Sequence, residues 1–163
     1  MKFPVRYLPA SLTKKDKRKQ IKMLLKSKKL YRTKNQYYTR KPLASYKNKT
    51  SKHIIKARKI YKIQNLTPSK ELARKTGCSL SALNQIVKKG QGAYFSSGSR
   101  PNQTSQSWGI ARLASSITAG KAGAVDYDII NAGCDHKKKA YILANKSRRQ
   151  YKYGQSRTRR VSV

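Results

Sequence analysis

The sequence predicts an all-α protein: a small domain of about four short helices with a helix-turn-helix-like pair, flanked by extended, strongly basic arms. Three observations predict it. Apolar residues recur at helical spacing in several segments, and none shows the sustained alternation of a half-buried strand. Gly, Pro, Ser and Thr stand where those segments start and stop. Charge is also partitioned: residues 1–62 hold 22 Lys or Arg against one acid, residues 63–136 hold eight against four, and residues 137–163 hold ten against none. Only the middle part is balanced as an ordinary domain is. Three segments are therefore expected: a Tyr-rich basic arm with two helices over 1–62, a helical domain over 63–136 and a basic tail over 137–163.

Residues 11–30 read as a basic helix entered at Ser11 to Thr13, with Thr13 and Asp16 in capping-box spacing and Ile21, Leu24 and Leu25 on its apolar face. From Tyr31 to Tyr46 the mixture of Tyr, Lys, Asn, Thr and Pro42 predicts an extended connector. A second helix is expected from about Ser51 to Ile63, with Ile54, Ala57, Ile60 and Tyr61 inward. Thr67-Pro68 supplies an N-cap with proline at the first helical position, and Gly77 supplies the stop. Ser79 opens the next helix, which carries Leu80, Leu83, Ile86 and Val87 and is expected to end at Gly90. Gly92, Gly98 and Pro101 make 90–102 a loop, anchored by Tyr94 and Phe95. A helix follows over 104–118, with Trp108, Ala111, Leu113, Ala114 and Ile117 inward and Gly120 after it. The last domain helix, over 122–132, carries Val125, Ile129 and Ile130 and ends at Gly133. Beyond His136 a tail is expected, with at most a short strand at 140–143.

The chain carries 40 Lys and Arg against Asp16, Glu71, Asp126, Asp128 and Asp135, a formal charge of +35. Self-repulsion on that scale opposes compaction and implies a partner of opposite sign. The candidate polyanion-binding residues are Lys14, Lys15, Lys17, Arg18, Lys19, Lys22, Arg40, Lys41, Arg58 and Lys59 in the first arm, and Lys137, Lys138, Lys139, Arg148, Arg149, Arg159 and Arg160 in the tail. Such side chains pair with phosphates and displace condensed counterions without sequence preference. Tyr31, Tyr37, Tyr38 and Tyr46, interleaved with Lys34, Arg40 and Lys41, suit stacking on bases or fastening an extended strand to a neighbour. Helix 11–30 also suits an anionic membrane surface, but its apolar stripe is thin and core packing is the preferred reading.

The sharpest local pattern is Leu72-Ala73-Arg74-Lys75-Thr76-Gly77-Cys78-Ser79, followed by Leu83 and Ile86. It has the small residue, the turn glycine and the apolar positions of a helix-turn-helix. On duplex DNA its second helix would present Ser81, Asn84, Gln85 and Lys88 to the major groove; any tight helical hairpin needs the same alanine and glycine. The stretch Ser96 to Gln103 resembles an anion-cradling loop but lacks Walker spacing, so capping by Ser and Asn is preferred, with Arg100 on a carbonyl or carboxylate. Asp126 and Asp128 do not converge on a helix, and Cys134 with Asp135 and His136 falls short of a zinc site. No catalytic, cofactor-binding or metal-ligating residue is assigned, and no small-molecule substrate is expected. Cys78 and Cys134 read as two buried thiols in a reducing compartment. The Met-Lys-Phe-Pro start has no apolar signal region, and no run is long enough to span a bilayer.

The stretches Gly90-Gln-Gly-Ala-Tyr-Phe-Ser-Ser-Gly-Ser-Arg-Pro-Asn-Gln-Thr, Ser107-Trp108-Gly109-Ile110-Ala111-Arg112-Leu113-Ala114-Ser115 and Ala124-Val125-Asp126-Tyr127 resemble a domain found in proteins of large nucleocytoplasmic DNA viruses, including chlorella-virus and mimivirus relatives. The resemblance covers about residues 5–135 and brings no established activity. It implies a virion component such as a minor capsid protein, present in the virion and in host cytoplasm or nucleus before assembly. The implied partners are other capsid or virion proteins, DNA or an anionic inner membrane. Arg100 and Asp126 are the candidates for a buried structural pair within the motif. A DNA-binding protein using the helix pair is the alternative, and a ribosomal-type RNA-binding protein the third reading.

Overall fold

The computed structural model describes residues 1–163. The chain is mostly helical, with eight α-helices: α1 (Lys14–Lys34), α2 (Lys52–Tyr61), α3 (Lys70–Thr76), α4 (Leu80–Ser96), α5 (Ser105–Ser116), α6 (Lys121–Val125), α7 (Tyr127–Gly133) and α8 (Lys139–Gln150). Two three-residue strands, β1 (Lys2–Pro4) and β2 (Arg160–Ser162), form an antiparallel ribbon. The all-α class holds, but the count of four domain helices does not. Residues 63–136 contain five, α3 to α7, because the helix expected over 122–132 is broken at Asp126. No helix is long and apolar enough to cross a membrane.

Two compact units form, and they interleave in sequence: one holds residues 1–49, 91–108 and 157–163, the other 50–90 and 109–156. They cut across the three segments read from charge.

In the first unit Lys2 faces Ser162, Phe3 faces Val161 and Pro4 faces Arg160. Val5 N–H donates to the Arg159 carbonyl at 3.0 Å and Val163 N–H to the Met1 carbonyl at 3.0 Å, so both termini are tied. Phe3, Tyr7, Leu8 and Leu24 form the core, with Ile21, Trp108 and Val161 against it. Helix α1 begins as expected, Thr13 Oγ1 accepting from Asp16 N–H at 3.2 Å. The box closes differently, however: the Asp16 carboxylate accepts from Ser45 N–H at 2.9 Å and Ser45 Oγ at 2.7 Å, and Thr13 N–H donates to Ser45 Oγ. The inward face is Asp16, Gln20, Leu24 and Ser27, while Leu25 is exposed. A stripe that is three-quarters polar leaves almost no apolar period to read, which also hid the last turn up to Lys34. Asn35, left-handed at φ 49°, ends the helix, and the extended connector starts there.

In the second unit Leu72, Leu83, Ile86, Leu113, Ile117 and Ile130 are fully buried. Tyr61 Oη donates to the Ile117 carbonyl at 2.6 Å, and burial drives the phenol pKa up. Helix α3 is capped by Ser69, whose Oγ accepts from Leu72 N–H at 3.1 Å, not by Thr67. Gly77 ends it at φ 78°, as the pattern required.

Helix α4 does not stop at Gly90 but runs on to Ser96. Gly90 serves an approach of backbones instead: a Cβ there would lie 2.6 Å from Gly109 Cα. The reciprocal bonds of Thr104 and Ser107 open α5. The C-terminal segment is neither tail nor strand over 140–143, because α8 buries Ala140, Ala144 and Ser147. That small-residue stripe lets it close on α6, where a Cβ on Gly123 would lie 3.2 Å from Ser147 Cβ. A hydrophobic pattern cannot show such a face.

Cys78 and Cys134 are not free thiols; they form a disulfide. The backbone brings them together as an isolated antiparallel bridge, with Ser79 N–H on the Gly133 carbonyl and Asp135 N–H on the Gly77 carbonyl, both at 2.7 Å. Their separation of 56 positions gave no hint of this.

Candidate polyanion-binding surfaces

Helix α1 is about 30 Å long at 1.5 Å per residue. Lys14, Lys15, Lys17, Arg18, Lys19 and Lys22 are all exposed along it, joined by Lys26, Lys29, Arg32 and Lys34. Its one acid, Asp16, is turned inward, and the two hydrogen bonds from Ser45 hold its carboxyl below the ordinary value of 3.8. The helix therefore presents cations to solvent with no carboxylate among them.

Arg40, counted among the polyanion contacts on sequence, is a correction. It is buried, its guanidinium lying 3.8 Å from the Tyr94 ring centroid. Nη1 donates to Ser27 Oγ and the Tyr94 carbonyl, and Nη2 to Ser99 Oγ at 2.7 Å. Desolvation lowers its pKa, and its work is to pin the connector onto α1. Lys41, next to it, is exposed, as are Arg159 and Arg160. Of the arm tyrosines, Tyr37 is 68% exposed and lies 5.0 Å from Phe95 and 6.1 Å from Tyr31, centroid to centroid. Lys26 Nζ sits 4.5 Å over Tyr38.

The stretch Ser96 to Gln103 is not an anion cradle, because its polar atoms are used within the unit. Ser99 Oγ donates to the Arg100 carbonyl at 2.7 Å. The Asn102 side chain accepts from Leu43 N–H and donates to the Leu43 and Tyr46 carbonyls. Neither residue caps a helix, and Arg100 is exposed.

In the second unit Arg58, Lys59, Lys137, Lys138, Lys139 and Arg149 are exposed, with Arg58 Nε donating to the Gln64 carbonyl. Arg148 is a second correction: half-buried, it lies 4.3 Å from the Tyr127 centroid and 4.9 Å from that of Tyr153. It fastens α8. The Tyr127 hydroxyl lies 3.2 Å from that of Tyr141 and donates to Asn145 Oδ1 at 2.9 Å, and its bond with Tyr141 raises its pKa. His136 stacks on Tyr141 at 3.9 Å, a contact the sequence did not suggest.

The Asp126 carboxylate is fully buried and takes Arg112, not Arg100. Arg112 Nε and Nη2 donate to its two oxygens at 2.7 Å each, and Lys89 Nζ stands 3.1 Å away. Glu71 pairs with Lys75 at 3.3 Å, and Asp135 Oδ1 accepts from Lys137 N–H. No group of three or more His, Cys, Asp or Glu is placed to hold a metal ion.

Helix α3, the turn at Gly77 and helix α4 follow one another in the expected order, and Ser79 Oγ caps α4 by accepting from Ala82 N–H at 3.1 Å. Ser81, Asn84, Gln85 and Lys88 are exposed, while Ala82, Leu83, Ile86 and Val87 are buried. The four candidates therefore share one outward stripe of α4, and Gln85 Nε2 donates to Ser81 Oγ at 3.2 Å.

A family model described as "Family of unknown function (DUF5824)" matches residues 4–136. No curated protein and no solved structure matches the chain.

Proposed function

We propose, for a chain that belongs to the DUF5824 family of unknown function, a non-enzymatic structural role in which its cationic faces lie against polyanions inside a large nucleic-acid-containing assembly. One observation carries this reading. Five acids can offset at most five of 40 cations, and Asp16 and Asp126 are buried, so the exposed cations of α1 must find counter-charge outside the chain. That excess is beyond what solubility requires. The viral resemblance of the 90–127 motif supports reading the assembly as a virus particle of a large DNA virus, with this chain as a minor capsid or other virion protein. Its neighbours there are virion proteins, packaged DNA or the inner membrane, and it passes through host cytoplasm or nucleus before assembly.

The test is retention of the full chain on immobilised heparin and on duplex DNA through a salt series, beside its copy number in gradient-purified particles. Release only at high salt, with log affinity falling linearly against log salt, is expected. Failure to bind either matrix at about 0.15 M salt, where the Debye length is about 8 Å, overturns the polyanion reading. Absence from purified particles overturns the virion role alone.

A further inference from the structure

We infer that the polyanion met by the second unit is duplex DNA, bound with the exposed stripe of α4 in the major groove and the lysine run 137–139 on a flanking phosphate backbone. This rests on the polyanion reading and names the partner of one surface within it. Two features far apart in sequence meet here. The α4 stripe of Ser81, Asn84, Gln85 and Lys88 has the amides that pair with adenine edges and a lysine suited to guanine or phosphate. No acid interrupts residues 80–96.

The lysine run belongs to the start of α8, 49 or more positions after Lys88, yet the fold sets it beside the turn that introduces α4. A Cβ on Gly77 would run into Cβ and Cγ of Lys138, so the stem of Lys138 crosses the turn itself. Gly77 is glycine for two reasons: its φ of 78° and this close passage. The placement is enforced by the Cys78–Cys134 disulfide and by the Ser79–Gly133 and Asp135–Gly77 backbone bonds. Lys137, Lys138 and Lys139 are all exposed there, and Arg74 adds an exposed cation on α3. An outward helical stripe with cations beside its leading turn fits a groove about 12 Å wide bordered by phosphates. The deep, narrow major groove of A-form RNA does not admit a helix in this way.

The test uses the full chain with its disulfide intact: selection from a random duplex pool, then binding to the selected and to a scrambled duplex across a salt series. Circular dichroism melts check that each variant folds. Asn84→Ala with Gln85→Ala is expected to cut the preference for the selected sequence about tenfold or more, leaving the salt slope unchanged. Replacing Lys137, Lys138 and Lys139 together by Ala is expected to lower the slope by about 2 to 3, at about 0.9 per phosphate contact, on both duplexes. Lys14→Ala, Lys15→Ala and Lys17→Ala on α1 serve as the comparison. If no sequence is selected, if the amide variant keeps full preference, or if A-form RNA binds better than DNA, the groove proposal is overturned while the polyanion reading stands. Failure of the unaltered chain to bind any of these or heparin overturns both.

Discussion

Reducing the Cys78–Cys134 bridge removes a constraint on the unfolded chain, and the sequence separation of 56 sets its size. Loop-closure entropy of about 2.1 + 1.5R ln n cal/mol/K gives about 14 cal/mol/K for that loop, or about 4 kcal/mol at 25 °C. Set against the 5–15 kcal/mol typical of a whole protein, this is a large share. At about 2–4 °C per kcal/mol for a chain of this length, Tm should fall by about 8–16 °C on reduction. The assay is calorimetry of the oxidised chain with and without a phosphine reductant, beside a Cys78→Ser, Cys134→Ser chain. That variant should melt where the reduced chain melts and ignore the reductant. A shift below about 2 °C, or a variant as stable as the oxidised chain, would refute the reasoning, since the bridge would then close no loop worth closing.

Asp126→Ala leaves Arg112, with its side chain 20% exposed, without its bidentate partner. A loss of about 3 kcal/mol in urea unfolding is expected, whereas Lys89→Met, at a half-exposed position, should cost under about 1 kcal/mol; equal losses would contradict the assigned geometry. The depressed pKa of Asp16 stabilises the fold fully above its ordinary value of 3.8, and that stabilisation disappears as pH falls through the lower folded value. The melting difference between the unaltered chain and Asp16→Asn should therefore be level from pH 7 to about 5 and shrink on further acidification, and a difference that grows towards acid would contradict the Ser45 bonds as its cause.

What could be read from sequence was what is decided locally. Thr13 and Ser51 open helices and Gly77 ends one through contacts within a few residues, so residue type and spacing sufficed. The misses depend on partners far along the chain. Arg40 is buried by Tyr94, 54 positions away, and nothing in its own neighbourhood distinguishes it from exposed Lys41. Gly90 looked like a helix stop because the other reason for glycine, the backbone of Gly109, lies on another helix. Helix α8 was hidden because its inward residues, Ala140, Ala144 and Ser147, are too small to register as a hydrophobic stripe. The candidate surfaces were legible where a long cation sits on a solvated helix face, as along α1. They were illegible where an aromatic ring captures the cation, as Tyr127 and Tyr153 do Arg148.

These captured cations bear on how the charged faces work. An arm that folded only against its partner would forfeit about 1–2 kcal/mol per residue in backbone entropy at the moment of binding. Here the first arm is held from within, by Arg40 on Ser27, Tyr94 and Ser99 and by the β1–β2 ribbon, and the last segment by the burial of Ala140 and Ala144 in α8. In the proposed role, polyanion binding would draw on charge that is already arranged, with little ordering to offset it. The cost falls on the fold instead, where the lysines of α1 repel one another. Added salt therefore acts in opposite directions, easing that repulsion while weakening the hold on phosphate. A face built this way is most stable when its counter-charge is a fixed neighbour, which is what the proposed assembly would supply.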